Sequence, residues 1–446
     1  MLRRRDVLRT AGLGLLLGSA GGLIEACGSG PRTSPPPPPV TSGSGGIRLV
    51  AADRRRAAGD PALLAPTSSA LDGFAARLYA AVAGASGSGN VVISPYSVAV
   101  ALSMTLAGAR GSTASQLEAA LETSALGDRW HSGMNTLTSY VDGLAGPVKR
   151  ADGSKATIGL GVANALFGQS GEHWRSAFLD LLAGEYGAGL RVVDFADPDH
   201  VRGLINAWVA DHTDDRIKDL IGPGVLTSDA RLALVDAISL TAPWEAPFEK
   251  GLTRPGDFHP DGGGTVRAQM MRKSGVDVTL TRGQGWQAAR IPYAGSTLAM
   301  TVVLPDQGRL SDVERGLDSG VLAQALGPGR SASVDLTLPR WSSRTSVSLE
   351  QALSSLGVTA AFGPSADFSG MTTQDALSIG AVLHQGWIKV DEDGTEAAAA
   401  TAAVMTMSGV RGDLETFLVD RPFVYVLHDV AHGTPLFVGR VTDPTR

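Results

Sequence analysis

The chain reads as an α+β protein built around a large mixed sheet, with an export segment and a linker ahead of the folded part. Three observations carry this. Helix-period and strand-period stretches interleave without a fixed repeat from about residue 70 onward. RLALVDAISLTAPWEAPF (231–248) is a long apolar run of the kind that forms a central strand. Near the C-terminus, LSIGAVLHQGWIKV (377–390) reads as a long strand and ETFLVDRPFVYVLHDVAHGTPLFVGRV (415–441) as two strands joined by a turn. Between these lies DEDGTEAAAATAAVMTMSG (391–409), which has almost nothing large enough to pack. The residues alone leave one or two domains open.

The N-terminus carries an address. Arg3, Arg4 and Arg5 precede Asp6, Val7, Leu8 and Arg9, and an apolar run, LGLLLGSAGGLI (13–24), follows. A charged start and a short apolar stretch mark an export signal rather than a spanning helix. RRDVLR resembles a twin-arginine signal, used by proteins exported already folded. Cys27, the only cysteine, follows Ile24-Glu25-Ala26 and resembles the lipidated cysteine of a bacterial lipobox, with Glu25 where a small residue is usual. No disulfide is possible within one chain, so stability must come from the core. Residues 28–46 are rich in Gly, Ser, Pro and Thr, with five consecutive prolines at 35–39. The expected division is an export signal at 1–27, a linker at 28–60 and a folded domain at 61–446, with Arg54, Arg55 and Arg56 solvated. Net charge is −6 and no basic run lies beyond the N-terminus, so nucleic acid is not an expected partner.

Leu71, Phe74, Leu78 and Val82 recur at helical spacing after the cap candidates Thr67, Ser68 and Ser69. In NVVISPYSVAVALSMTLAGARGSTASQLEAAL (90–121), a short buried strand leads to Ser94 as a helix cap and Pro95 in the first turn. Thr113 and Gln116 read as a capping box for a second helix. Residues 157–168 alternate as a strand, with Asn164 expected to bond backbone. Trp174, Phe178, Leu181 and Leu182 make a helix face, Leu190 to Phe195 a strand, and 200–221 one amphipathic helix or two. Strands follow at roughly 266–272, 276–281, 287–293 and 298–304, another at 333–342, and within 346–362 a helix ending at Gly357.

The motifs of common enzymes are missing. The chain has no G-x-S-x-G elbow, H-E-x-x-H pair, phosphate-binding loop or dinucleotide-binding glycine pattern. His428 and His432 are four apart but span a strand end and a turn, a poor metal pair. No catalytic residue, cofactor or metal is expected.

Local propensity makes 391–409 an alanine-rich helix, with Asp391 to Asp393 and Glu396 near its start and Thr395 as a cap. Read with period two, the same residues separate into faces. One carries Thr395, Ala397, Ala399, Thr401, Ala403, Met405 and Met407, with no charge and little bulk before Met405. The other carries Glu396, Ala398, Ala400, Ala402, Val404, Thr406 and Ser408. A loop of that kind can slide between strands and become one itself.

The hinge Gly394, Thr395, Glu396, Ala397, Ala398, Ala399, Ala400 and Thr401 resembles the reactive loop of a serpin, a serine protease inhibitor. SPYSVAVALSMTLAGARGSTASQ, INAWVADHT, ARIPYAGSTLAMTVVLP and ADFSGM resemble serpin segments in the right order, over about 70–446. Asp236, Thr241 and Gln385 stand where the family usually has Asn, Lys and Lys, and His384 matches a family histidine. The resemblance implies one domain with three β-sheets, eight to nine helices and an exposed reactive loop. It implies a monomer that traps a serine protease as a covalent acyl complex, after which about 15 loop residues at roughly 3.3 Å each carry the protease on the order of 50 Å. Family spacing from Gly394 puts the reactive bond at Ser408–Gly409, or one residue earlier at Met407–Ser408. Either suits an elastase-, subtilisin- or chymotrypsin-like pocket, whereas Arg411 would suit a trypsin-like one. The other reading is a non-inhibitory serpin that acts as a binding or chaperone-like protein.

Overall fold

The computed structural model describes residues 40–42, 46–372, 374, 377–395 and 414–446. Cys27, hinge residues Glu396 to Thr401, the bond at Met407, Ser408 and Gly409, and Arg411 lie outside the described residues.

In chain order come β1 (Val40–Ser42), β2 (Arg48–Val50), α1 (Leu64–Ala85), β3 (Val91–Ile93), α2 (Pro95–Leu106), α3 (Gly111–Leu121) and α4 (Trp130–Asp142). The hairpin β4 (Gly146–Lys149) and β5 (Lys155–Gln169) is followed by α5 (Ser176–Tyr186), β6 (Leu190–Val193), α6 (Pro198–His212) and β7 (Leu232–Pro243). Next are β8 (Arg254–Phe258), β9 (Val266–Gly283), β10 (Trp286–Pro292), β11 (Leu298–Pro305), α7 (Leu310–Gly316) and α8 (Leu322–Leu326). Then come β12 (Arg330–Pro339), β13 (Trp341–Ser348), α9 (Glu350–Ser355), β14 (Ala381–Val390), β15 (Gly394–Thr395), β16 (Glu415–Leu418), β17 (Phe423–Asp429) and β18 (Pro435–Val441). The nine α-helices among the described residues fall within the expected eight to nine.

The first sheet runs β1-β2-β6-β5-β7-β15-β14-β13 and the second β16-β12-β9-β10-β11-β17-β18-β3. The region expected as two strands at 266–281 is one strand, β9, 18 residues long. Its first part pairs with β8 and its last with β10, so β8 and β10 belong to one continuous sheet through β9.

The first sheet divides the interior. The inner faces of β5 and β7 contribute Leu166, Leu234, Ile238 and Leu240 to the main core. Their outer faces contribute Ala163, Ala165, Ala233, Val235 and Ala237 to a smaller core roofed by Val201, Ile205 and Val209 of α6. This two-sided burial is why β7 reads as a continuous apolar run instead of alternating.

Local chemistry follows the sequence in places. Ser94 caps α2, its hydroxyl accepting from the Ser97 amide at 3.2 Å, with Pro95 as first helical residue. Elsewhere tertiary partners win. Thr67, Ser68 and Ser69 do not cap α1; Thr67 and Ser68 are buried within it, and Asp60 instead caps the preceding short turn, accepting from Ala62 at 3.0 Å. Thr113 and Gln116 form no capping box, because α3 starts earlier, at Gly111. They accept instead from the distant amides of Asp367 (2.9 Å) and Ala360 (2.8 Å). Asn164 bonds the Ser97 hydroxyl at 2.5 Å, not backbone.

The fold also begins earlier than residue 60. β2 pairs antiparallel with β6 and extends the edge of the first sheet. Arg56 is not solvated: its guanidinium donates to the Asn135 side chain at 2.7 Å and carbonyl at 3.0 Å on α4. The amide of Ala57 reaches the Gly184 carbonyl of α5 at 2.7 Å. Composition marked this stretch as linker because its polar groups find their partners only across the tertiary fold.

Candidate reactive-loop site

The site lies where β7 and β14 part. Ala233 to Ile238 pair in parallel with Ala381 to Gly386, a direct ladder between the two central strands. Beyond it the strands diverge. The chain leaves β14 at Val390, turns through Asp391 to Asp393, and returns as β15 between them. Gly394 faces Pro243, and Thr395 faces Ala242 on one side and Val390 on the other, antiparallel to both. The start of the hinge thus forms a strand in the described residues, not a helix cap.

Gly394 is required at this position. Its φ is +150°, and a Cβ would lie 2.3 Å from the Ala242 carbonyl oxygen. Thr395 is buried, its hydroxyl 2.5 Å from that of Tyr293. Tyr293 stacks face to face on Trp244 (centroids 4.6 Å apart, planes 5° apart), and burial pushes its phenol up. The Trp244 indole donates to the Asp391 carbonyl at 3.0 Å, and its backbone amide to that of Asp393 at 2.9 Å. The turn is thereby held from the side of β7.

Glu392 holds it from the other side. Its carboxylate is 1% exposed and receives the Arg340 guanidinium (Nε at 2.7 Å) and the Thr253 hydroxyl. Burial pushes this carboxyl up, but the hydrogen bonds from Arg340 and Thr253 and the charge of Arg340 outweigh it and hold the group below its ordinary value. Asp393, nearer the surface, pairs with Lys250 at 2.7 Å.

Lower down, a polar latch crosses the direct ladder. His384 and Asp236 are register partners, with Nδ1 at 3.1 Å from Oδ1, both side chains fully buried. The Ser94 amide donates to His384 Nε2 at 3.1 Å. The proton therefore sits on Nδ1, which donates to Asp236. Parting β7 from β14 breaks this bond.

Gly394 and Thr395 are thus the two hinge residues whose place in the sheet is described. Tyr293, Arg340 and Thr253 carry no local sequence signal, since their partners are 52 to 139 residues away. Trp244 lies within the apolar run 231–248, which by itself marks only a strand. His428 is not free to bind metal: it is buried, bonded to the Thr301 hydroxyl at 2.8 Å and the Asp429 carbonyl at 2.9 Å.

This geometry defines a protein whose large sheet is open at one end beside a chain that has begun to enter it. The family model for serpin, serine protease inhibitor, matches residues 69–444, and the chain belongs to that family of inhibitors, which are not enzymes. It is 34% identical over 368 residues to Iris of Ixodes ricinus, spanning 80% of this chain and 92% of that protein. Leukocyte elastase inhibitor of Sus scrofa is 31% identical over 386 residues, spanning 84% and 99%. The crystal structure of Serpin48, a highly specific serpin of the insect Tenebrio molitor, superposes with a TM-score of 0.74 at 26% identity, covering 84% of this chain and 98% of its own.

Proposed function

We propose that the chain is a single-use inhibitor of an extracellular serine protease, trapping it as an acyl complex at Met407–Ser408 or Ser408–Gly409. The single observation that carries this is the position of Gly394 and Thr395 between β7 and β14, with Thr395 pointing into the core. Side chains alternate along a strand, so Ala397, Ala399, Thr401 and Ala403 would follow Thr395 inward, all small and uncharged. Full insertion exchanges one parallel ladder for two antiparallel ones. Antiparallel pairing is slightly the more stable per residue, and the exchange adds hydrogen bonds.

Met407 or Ser408 before the cut suits a pocket of elastase, subtilisin or chymotrypsin type. The name of the porcine relative, an elastase inhibitor, supports the same class. Export by the twin-arginine route belongs to this proposal, with the chain either attached to the outer face of the cytoplasmic membrane by a lipid on Cys27 or secreted, as does action as a monomer.

The test mixes the exported form with elastase, subtilisin, chymotrypsin and trypsin, followed by a denaturing gel and sequencing of the released peptide. A band of the summed mass that survives boiling, with a peptide beginning at Ser408 or Gly409, is the expected result. Cleavage without a complex would overturn it and leave a serpin that binds without trapping.

A further inference from the structure

On the outer face of the first sheet, beside the point where the loop enters, lies a cavity of about 460 Å³. Its floor is β5 and β7, reduced to Gly159, Gly161, Ser239 and Thr241, and Arg150, Lys155 and Arg216 stand around it. At Gly161 even a Cβ would come within 2.7 Å of the Ser239 hydroxyl, so the floor is closely packed beneath an open bowl.

Its charges do not cancel. Two carboxylates share the lining, but Asp214 is engaged by Arg216 at 2.8 Å and Asp393 by Lys250 at 2.7 Å. Arg150 and Lys155 have no ion pair among the described residues. A third cation, Lys149 of β4, lies outside the cavity lining but is the register partner of Lys155 in β5. Directly opposed residues share a face, and like charges so placed oppose pairing. The ten-residue hairpin GPVKRADGSK (146–155) holds one acid, Asp152, whose carboxylate is turned to the Ser154 amide at 2.8 Å. Glu245 accepts from the Ala151 amide at the hairpin turn (2.6 Å), yet two of the three cations still face each other across a two-strand ladder, a repulsion that an anion between them relieves.

We propose that this hairpin, with Arg150, Lys149 and Lys155 as its cations and the hydroxyls of Ser239 and Thr241 beneath, binds a small, multiply charged oxyanion. The size suits a pyrophosphate or a sugar phosphate better than a single ion. Arg150 Nε also donates to the Trp244 carbonyl at 2.8 Å, and Trp244 holds the Asp391–Asp393 turn. An occupant that draws on Arg150 therefore pulls where the loop enters, a consequence that rests on the proposed function.

Binding itself is tested without protease, so its outcome is independent of the inhibitory reading. Inorganic pyrophosphate is titrated calorimetrically into the full chain and into Lys149→Gln/Lys155→Gln. Both lysines are exposed, so this variant keeps the fold, which its unchanged melting temperature without ligand will verify. Saturable binding that weakens at least about tenfold in the double variant, and falls steeply with added salt, is expected. Absence of saturable binding at millimolar pyrophosphate, or equal affinity in the variant, would overturn the site.

Discussion

On the proposed function, Thr395 is where one side chain separates a trap from an ordinary substrate. Its hydroxyl already occupies a buried position against Tyr293, and an ion placed there without a partner costs several kcal/mol. Thr395→Arg is expected to leave cleavage intact while the boil-resistant complex gives way to free cleaved inhibitor, read by the ratio of the two gel bands. Glu392 gives a pH-dependent counterpart. Its folded-state pKa is held below the ordinary value of 4.5, so its contribution is complete above that value and is lost as pH falls through the depressed pKa. Denaturant unfolding from pH 7 down to 3 should show wild type losing about 1–3 kcal/mol more than Glu392→Gln. If both lose the same, the Arg340 pair does not stabilise the turn.

At the scale of elements, the strand β2 and the segment through Arg56 fasten the edge of the first sheet to α4 and α5. Deleting residues 46–58 is expected to lower the melting temperature by a few degrees, with a native-like circular dichroism spectrum. An unchanged melting temperature would show that this strap bears no load. This element also marks where sequence reading stops. α1, α2 and β7 are legible because their apolar residues follow one period or fill one run. β14 and the start of the hinge are legible because an alternating small-residue stretch follows a strand. The strap is not, since its three strand residues resemble any linker until β6 lies beside them. Nor are the partners of Thr395 and Glu392, because Tyr293 and Arg340 arrive from other strands. Thr113 and Gln116 show the opposite failure: a correct local motif whose side chains are taken by distant backbone.

For the whole molecule, the proposed function requires the intact fold to be a kinetic trap and the cleaved, inserted form to be more stable. Cutting the loop with a protease that does not become trapped should therefore raise the melting temperature well above that of the uncut chain, measured by calorimetry on both. Equal melting temperatures would mean that the loop stays out of the sheet. Six register pairs between β7 and β14, including His384 with Asp236, must open before that gain is realised. On that proposal the barrier is concentrated at one seam, whereas the released energy is spread over two new ladders.

On the proposed mechanism, the alanines under α6 ease the opening of the seam. Ala163, Ala165, Ala233 and Ala237 present no rotamers for the helix to lock against. In mechanical terms they make a smooth stretch of bearing, interrupted by Val235 and by Phe167, whose ring meets Trp208 of α6 edge-on at 5.5 Å. An acyl-enzyme survives only until water reaches it. On the proposed trapping mechanism, such a floor turns a question of stability into a race, in which travel of the sheet decides whether the protease is carried away before it frees itself.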